Sequence, residues 1–273
     1  MIAVTSVKTL PEAYAVLAAR PPGLRVLAGG TDLMVAINAR VGLDRIGHVL
    51  DIWSLRELRG VSLSLDDGAL RIGALTTYSE ILRSPLVKEA LPALAAVSRE
   101  VGAWAIQNRG TLGGNVCNAS PAGDTLPLLI AADARLVLGG PRGERVVPAE
   151  EFFVAYRKTA LGADELLLRV EIPVSKDARL GYRKIGTRRA QSVSKTLIAV
   201  RALPGLREVR IAAGCVAPVP LRCRRAEAAA MSGGDVRAAL QLDISPIDDV
   251  RSTAGYRRVV SANVLEQLLR ELG

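Results

Sequence analysis

Apolar and polar positions follow two different periods in the first part of the chain. Residues 11–20, PEAYAVLAAR, repeat apolar positions at helical spacing. Residues 24–27, LRVL, are a short apolar run typical of a buried strand, and they lead directly into the glycine pair of AGGTDL. TDLMVAINAR then has a helical pattern with Thr31 or Asp32 as its cap. HVLDI predicts another strand.

The next stretch predicts a hairpin, helices and a long loop. LRGVSLSLDDGALRIGALTT alternates on both sides of Asp67–Gly68, which predicts a β-hairpin. Thr77 and Glu80 have the spacing of a capping box, so a helix is expected to begin there. A helical pattern also runs from Leu86 to about Val101. Residues 102–124 have no stable period and many turn formers, and long ordered loops are usually functional.

A change of character near Pro173 predicts a domain boundary. Regular structure resumes at LPLLIAADARLVL, followed by the turn GGPRGE. Beyond Pro173 the chain is more basic and richer in strands, and two helices close it, at about 236–242 and 257–272. Strands mixed with helices in this way predict an α+β or mixed α/β chain.

Composition and charge exclude several classes of protein. Of the 273 residues 49% are hydrophobic and only 3% are aromatic, which predicts a large aliphatic core. The net charge of +9 is compatible with nucleic-acid binding. No helix-turn-helix, zinc-finger or aromatic RNP pattern accompanies it, so nucleic-acid binding is not expected. No apolar run approaches a membrane span, and the N-terminus lacks the pattern of a signal peptide. We therefore expect a cytoplasmic protein.

The cysteines and the histidine predict no metal site. Cys117, Cys215 and Cys223 lack CxxC spacing, so neither a disulfide framework nor a zinc or iron–sulfur site is expected. His48 is the only histidine and lies in a strand-like stretch, where we expect a structural role. No catalytic residue stands out.

Two glycine pairs carry the candidate chemistry. The phosphate-binding patterns GxxxxGK[ST] and GxGxxG are absent. At Gly29–Gly30 the missing Cβ atoms would let backbone N–H groups approach an anion, with a helix N-terminus behind them. Either pair alone is also compatible with an ordinary tight turn. Together, two such turns and the polar side chains of the second loop could hold a long ligand with a diphosphate and sugar groups, the side chains being those of Asn115, Asn118, Ser120 and Asp124.

Several motifs occur in the order found in one family. AGGTDL, RGTLGGNVCNASPAGD, FFVAYRKT, IP at 172–173, YRKIGTRRAQS and DVRSTAGYRRVV resemble the FAD-binding medium subunit of the molybdenum hydroxylases. These are the xanthine dehydrogenase, aldehyde oxidase and aerobic carbon monoxide dehydrogenase relatives. The resemblance implies an α+β fold. A two-lobed, PCMH-like FAD-binding domain would span residues 1–173, with its lobes split near residue 55, and a smaller α+β domain would span 174–273.

The resemblance also implies which residues bind FAD. The implied cofactor-binding residues are Ala28, Gly29, Gly30, Thr31, Asp32 and Leu33 in the first loop, Thr111, Gly113, Gly114, Asn115, Ser120 and Asp124 in the second, and Leu167 and Lys184 beyond it. Lys184, matched to a basic residue that contacts FAD, would favour an anionic reduced flavin. Taken by itself, Lys184 is better explained as a solvated charge in a basic hairpin, whereas Asp124 is equally compatible with the cap of a helix that begins near Thr125.

Other positions are less defined by the resemblance. Tyr156, Arg188 and Arg189 match residues near the flavin whose roles vary between members. Neither glycine loop contains a histidine, so histidyl attachment of the flavin is not expected. Cys117 could be a covalent flavin anchor, but a buried small residue is the expected reading.

The resemblance implies an electron-transfer subunit of a hetero-oligomer. Electrons from substrate, oxidised on a molybdopterin-binding large subunit, would cross [2Fe–2S] clusters of an iron–sulfur subunit to this FAD and leave to NAD or another acceptor. The alternative is a free-standing FAD-dependent oxidase or reductase, which would need an acid–base residue near the flavin; Tyr156 is the only candidate. A third alternative is a basic scaffold or nucleic-acid-binding module without catalytic activity.

Overall fold

A small parallel sheet forms the N-terminal part of the computed structural model, which describes residues 2–188 and 191–273. Its strand order is β1-β3-β2. The elements are β1 (Ala3–Ser6), α1 (Leu10–Ala19), β2 (Leu24–Leu27), α2 (Leu33–Asn38) and β3 (His48–Asp51). β3 lies in the middle, and its Val49 and Leu50 are buried. The first glycine loop therefore starts at the carboxyl end of a parallel strand, a common position for ligand sites.

An antiparallel sheet of five strands forms the second part, in the order β4-β5-β10-β6-β7. Its elements are β4 (Val61–Leu63), β5 (Leu70–Gly73), α3 (Tyr78–Arg83), α4 (Pro85–Ala90), α5 (Pro92–Glu100), α6 (Trp104–Gln107), α7 (Leu112–Asn118), α8 (Leu126–Ala131), β6 (Arg135–Gly140), β7 (Gly143–Pro148), α9 (Ala149–Phe152), β8 (Phe153–Ala155), β9 (Lys158–Thr159) and β10 (Leu166–Ile172). β8 and β9 pair separately as a small hairpin. The central strand, β10, is buried at every position except Arg169.

A second antiparallel sheet, in the order β11-β12-β13-β14, forms the C-terminal part. Its elements are β11 (Arg179–Ile185), β12 (Thr196–Ala202), β13 (Val209–Gly214), β14 (Leu221–Arg222), α10 (Arg224–Ser232), α11 (Val236–Asp243) and α12 (Ala254–Leu272). One apolar cluster fills the space between this sheet and the three helices. The α+β class is confirmed.

Shared cores join the three parts. The largest apolar cluster packs the helices of the second part and also takes in Tyr182 and Leu197 from the C-terminal sheet. The cluster of the N-terminal part includes Leu166 and Leu168 of β10. β10 therefore faces the core of the N-terminal part as well as its own. No helix in the described part of the chain is long and apolar enough to cross a membrane.

Several expectations about the elements are confirmed. The hairpin around Asp67–Gly68 is present, with Leu63 opposite Leu70. The capping box is complete, since Thr77 accepts from the N–H of Glu80 and the Glu80 side chain accepts from the N–H of Thr77. The strand and helix on either side of AGGTDL are also present, but the strand is not buried as expected, since Val26 is 40% exposed.

Three expectations about helices are wrong. The continuous helix from Leu86 to Val101 is two helices, because Pro92 lacks an N–H donor and restricts Leu91, whose φ and ψ are −147° and 61°. The loop 102–124 contains α6 and α7. The C-terminal part has three helices rather than the two expected, the additional one being α10.

Candidate cofactor-binding cleft

The two glycine loops lie side by side beyond the carboxyl end of β2. A Cβ atom on Gly29 would stand 1.8 Å from the carbonyl oxygen of Arg109, so the backbones touch and only glycine fits there. Arg109 also donates from Nε to the carbonyl oxygen of Gly29, at 3.4 Å. The fold thus joins two turns that are 80 residues apart into one wall of a cleft.

The first loop presents a row of unpaired donors. Among the residues that the structure describes, the backbone N–H groups of residues 29–33 donate to no acceptor. Gly30 has a φ of +79°, the left-handed conformation that turns the chain here and that glycine adopts without strain. Successive N–H groups that line a cavity form a concave site for anionic oxygens. This geometry suits the anion nest expected from AGGTDL.

The second loop is different, because its N–H groups are bonded within the protein. These bonds run from Leu112 to Thr76 O (3.0 Å), from Gly113 to Ala74 O (2.9 Å), from Gly114 to Thr111 Oγ1 (3.0 Å) and from Asn115 to Thr111 O (3.1 Å). A Cβ atom on Gly113 would lie 2.6 Å from the carbonyl oxygen of Ala74. The second glycine pair therefore lets α7 begin directly against the end of β5, and its side chains rather than its N–H groups face a ligand.

A cleft of about 660 Å³ opens between the loops. Eleven of the predicted residues line it: Ala28, Gly29, Gly30, Thr31, Asp32, Leu33, Thr111, Gly113, Gly114, Asn115 and Leu167. Apolar side chains, including Ile52, Leu75 and Leu161, form much of the rest of the wall, together with Arg25, Asn118 and Arg157. The cleft therefore combines a polar loop with an apolar surface.

A second cavity of about 790 Å³ continues the cleft toward the C-terminal part. Ser120 and Asp124, two more predicted residues, line it. The two cavities share Asp32, Ile106, Asn115, Asn118 and Arg157. Thirteen of the fourteen predicted residues thus border one continuous space.

Lys184, the remaining predicted residue, reaches this space through an ion pair. Its Nζ lies 2.8 Å from Asp124 Oδ2 and 3.3 Å from the carbonyl oxygen of Glu100, and its side chain is only 5% exposed. Ser194 donates to the other oxygen of Asp124 at 2.8 Å. Burial raises the pKa of Asp124, and the Lys184 charge lowers it in part. The alternatives of a solvated Lys184 and of a helix cap at Asp124 are both wrong.

A polar chain of three residues bridges the cleft where the two cavities join. Asn118 donates from Nδ2 to Asp32 Oδ1 at 3.0 Å and accepts on Oδ1 from Arg157 at 3.5 Å. Arg157 has a φ of +52°, so the β8–β9 turn holds it in a left-handed conformation. Arg157 belongs to the motif FFVAYRKT, from which only its neighbour Tyr156 was expected to lie near the ligand.

The other singled-out positions have varied surroundings. Tyr156 is 62% exposed at the edge of the second cavity. Arg188 donates to the carbonyl oxygen of Gln191, while Arg189 lies outside the described residues. Cys117 lines the first cavity, and burial raises the pKa of its thiol to about 12, so it is not a reactive nucleophile. His48 contacts Thr5 Oγ1 through Nε2 at 3.0 Å, within the N-terminal sheet.

The cleft fits a ligand with an anionic part and a flat apolar part. The N–H row of the first loop matches anionic oxygens, and the aliphatic wall matches a ring system. In the described part of the chain no group of three or more His, Cys, Asp or Glu side chains is placed to hold a metal ion.

Sequence comparisons identify relatives over most of the chain. A family described as "FAD binding domain in molybdopterin dehydrogenase" matches residues 1–175. A putative xanthine dehydrogenase FAD-binding subunit of Escherichia coli (strain K12) is 33% identical over 255 residues, 91% of this chain and 86% of that protein. The carbon monoxide dehydrogenase medium chain of Hydrogenophaga pseudoflava is 30% identical over 273 residues, 96% of this chain and 93% of that one.

Solved structures agree with the sequence relatives. A carbon monoxide dehydrogenase from Hydrogenophaga pseudoflava superposes with a TM-score of 0.90 at 28% identity, covering 97% of this chain and 95% of that chain. Quinoline 2-oxidoreductase from Pseudomonas putida 86 superposes with a TM-score of 0.88 at 25% identity and covers 100% of this chain and 96% of that one.

Proposed function

The chain belongs to the FAD-binding subunits of the molybdenum hydroxylases, and from this premise we propose that it transfers electrons through an FAD held between its two glycine loops. It is an oxidoreductase subunit with FAD as its cofactor. The electrons come from [2Fe–2S] clusters of a partner and pass to NAD or another acceptor. The main support for this position of the cofactor is the row of unpaired N–H groups at residues 29–33.

The residues of the cleft fit FAD. The first loop can hold the diphosphate, because its backbone N–H groups can bind phosphate oxygens without the help of arginine side chains. The isoalloxazine ring matches the apolar wall, which includes Leu167. The fourteen residues named from the resemblance remain our proposed cofactor site, with those of the second loop acting through side chains and close packing. Bound FAD accepts two electrons and releases them singly or as a pair.

The chain's own residues hold the cleft in shape for the cofactor. Arg109 ties the second loop to Gly29, and Asn118 ties α7 to Asp32. Asp124 and Lys184 connect the second cavity with β11. We keep Lys184 as a proposed neighbour of the flavin, so Lys184→Met should shift the flavin reduction potential.

The proposed partners follow from the relatives. The Escherichia coli protein is called a subunit and the Hydrogenophaga pseudoflava protein a medium chain, names that refer to assemblies of several chains. We propose an iron–sulfur subunit as the electron donor and a molybdopterin-binding large subunit as the site of substrate oxidation. A cytoplasmic location remains a prediction.

The proposed domain division follows the sheets. Residues 1–173 would form the FAD-binding domain, with the N-terminal parallel sheet as one lobe and the five-stranded sheet as the other, divided near residue 55. Residues 174–273 would form the C-terminal domain.

Flavin content and electron acceptance test the proposal. The purified full chain should release FAD in a one-to-one ratio on denaturation. After anaerobic reduction with dithionite, it should be reoxidised by NAD⁺ or by an artificial acceptor such as ferricyanide. A chain that neither retains FAD nor binds it on titration would contradict the proposal, and a reduced flavin that neither NAD⁺ nor ferricyanide can reoxidise would contradict the electron-transfer role.

A further inference from the structure

A buried hydrogen-bonded chain leads from α3 to the cleft. The hydroxyl of Thr125 lies 2.7 Å from Asn115 Oδ1 and 3.4 Å from the hydroxyl of Tyr78. Thr125 is fully buried and Tyr78 is 2% exposed, although Tyr78 also borders the first cavity; Asn115 borders both cavities. The chain of hydroxyls thus ends on a side chain that faces the ligand space.

The Thr125 hydroxyl does not cap the helix that it precedes. Thr125 precedes α8 as its N-cap residue, a position where threonine normally accepts a bond from the helix backbone. Here its φ and ψ are helical, −83° and −18°, and its side chain makes no such bond. Its hydroxyl is directed instead to Asn115.

The donors and acceptors in this chain can be ordered in one direction only. Within the described residues, Thr125 is the sole hydrogen-bond partner of the Tyr78 hydroxyl, and burial raises the tyrosine pKa, so Tyr78 stays protonated and must donate to Thr125 Oγ1. The single hydroxyl proton of Thr125 is then left for Asn115 Oδ1. The reverse order would leave the Tyr78 proton buried without an acceptor, which costs about 1–3 kcal/mol.

This order decides which end of the Asn115 amide faces the ligand. With Oδ1 bonded to Thr125, the amide can only present Nδ2 to the cleft, and Nδ2 has no acceptor among the described residues. We propose that Thr125 is a positioning residue that fixes Asn115 as a hydrogen-bond donor to an acceptor oxygen of the bound FAD. The inference rests on the proposed function, because it takes FAD as the ligand.

Substitutions at Thr125 test the positioning role. The flavin-free full chain of each variant is titrated with FAD, and its unfolding and the visible spectrum of the bound flavin are recorded. Thr125→Val, which keeps the shape and removes the hydroxyl, should weaken FAD binding by about tenfold and shift the flavin spectrum. Thr125→Ser should restore both values to those of wild type. Thr196→Val is the matched control, because Thr196 is equally buried and bonded to Ser261, and it lines neither cavity.

Substitutions at Asn115 test the direction of the bond. If Nδ2 donates to FAD, Asn115→Asp should bind FAD more weakly than Asn115→Ala, because Thr125 would hold one carboxylate oxygen and turn the other toward the ligand oxygen. If the amide instead presented its oxygen, Asp would replace it and bind FAD better than Ala.

The two series separate this inference from the proposed function. Unchanged FAD affinity in Thr125→Val, failure of Thr125→Ser to restore it, or tighter binding by Asn115→Asp than by Asn115→Ala would each overturn the inference while wild type still binds FAD. An equal loss of FAD affinity in Thr196→Val would also overturn it, because the effect would then come from general destabilisation. Failure of wild type itself to bind FAD would overturn the proposed function.

Discussion

At the scale of single residues, the glycines of the cleft have different physical roles. Gly29 is required by a backbone contact, since its missing Cβ leaves room for the carbonyl oxygen of Arg109. Gly30 supplies a left-handed turn, and Gly113 lets α7 approach β5. Four glycines in two similar motifs therefore do not form two equivalent phosphate cradles.

Gly29→Ala should separate the two loops. The added methyl group cannot be accommodated 1.8 Å from a carbonyl oxygen, so the loop must move and the row of N–H groups loses its shape. FAD occupancy of the purified chain should fall below about a tenth of the wild-type value. Gly255→Ala is the control, because no atom lies within 4 Å of its Cβ position, and it should keep full occupancy with equal or slightly higher stability. Full flavin content in Gly29→Ala would contradict the loop contact.

The buried pair of Lys184 and Asp124 predicts a pH-dependent variant. Lys184→Met leaves Asp124 as a buried carboxyl group without its counter-ion, which should lower the free energy of unfolding by about 3–5 kcal/mol at neutral pH. Burial already raises the pKa of Asp124, and this pKa should rise further in the variant. A raised carboxyl pKa favours the folded state at low pH, and this contribution is lost as the pH rises through the folded pKa.

Urea unfolding at several pH values checks this sign. The deficit of Lys184→Met should be small near about pH 4 and grow toward about pH 8. Lys88→Met, at an exposed lysine of α4, should change the unfolding free energy by less than about 0.5 kcal/mol at every pH. If the difference in unfolding free energy between Lys184→Met and wild type did not change with pH, Asp124 would not be the unpaired buried charge that destabilises the variant.

Which residues border the cleft was predictable from the motifs, but their contacts were not. The Asp124–Lys184 pair joins residues 60 apart, and nothing in either local sequence signals the other. For the same reason, Thr125 gave no signal, because its partner Asn115 is recognisable only when α7 and α8 are placed in space.

At the scale of elements, the second loop is a helix that begins with glycines. Thr111 caps α7 by accepting from the N–H of Gly114, and the turn formers of this segment are therefore the start of a helix rather than an irregular loop. Glycines and asparagines lower helix propensity, which is why no helical period was visible. The composition of this segment therefore indicated a functional region but not its helical structure.

Gly114→Val should damage this element and empty the cleft. The Cβ position lies 2.9 Å from Thr111 Oγ1, so a branched side chain would disturb the cap and reach into the ligand space. We expect FAD retention to be lost and the unfolding free energy to fall by about 1–2 kcal/mol, while the C-terminal part still folds. Flavin content and circular dichroism measure the two effects, with Thr111→Ser as a control that keeps a capping hydroxyl. Full flavin occupancy in Gly114→Val would remove α7 from the proposed site.

At the scale of the whole molecule, ionic contacts connect the C-terminal part with the five-stranded part. Glu150, in α9, lies 2.9 Å from Arg224, 3.4 Å from Arg222 and 3.6 Å from Arg210. Part of the positive charge of the chain is therefore neutralised by ion pairs within the fold. The strand order could not be predicted, because β10 enters the sheet between β5 and β6, far from either in sequence.

Glu150→Gln should weaken this connection. The substitution removes the carboxylate charge that the three clustered arginines share and leaves their positive charges close together. The free energy of unfolding should therefore fall by about 1–3 kcal/mol at low salt. The difference from wild type should shrink at about 1 M salt, because screening reduces repulsion among the arginines. Glu266→Gln, which removes a single pair with Arg237, is the control and should cost less than about 1 kcal/mol. Equal effects of the two substitutions would contradict a joint role of Glu150.

Hydrogen exchange of the backbone amides, measured by fragment-resolving mass spectrometry with and without FAD, directly tests whether FAD binds at the N–H groups of the first loop. The N–H groups of residues 29–33 lack partners in the free chain and should exchange fast, then become strongly protected when FAD binds. The N–H groups of residues 112–115 are already bonded and should change little. Protection gained at 112–115 with none at 29–33, or no protection in either loop at saturating FAD, would contradict the account.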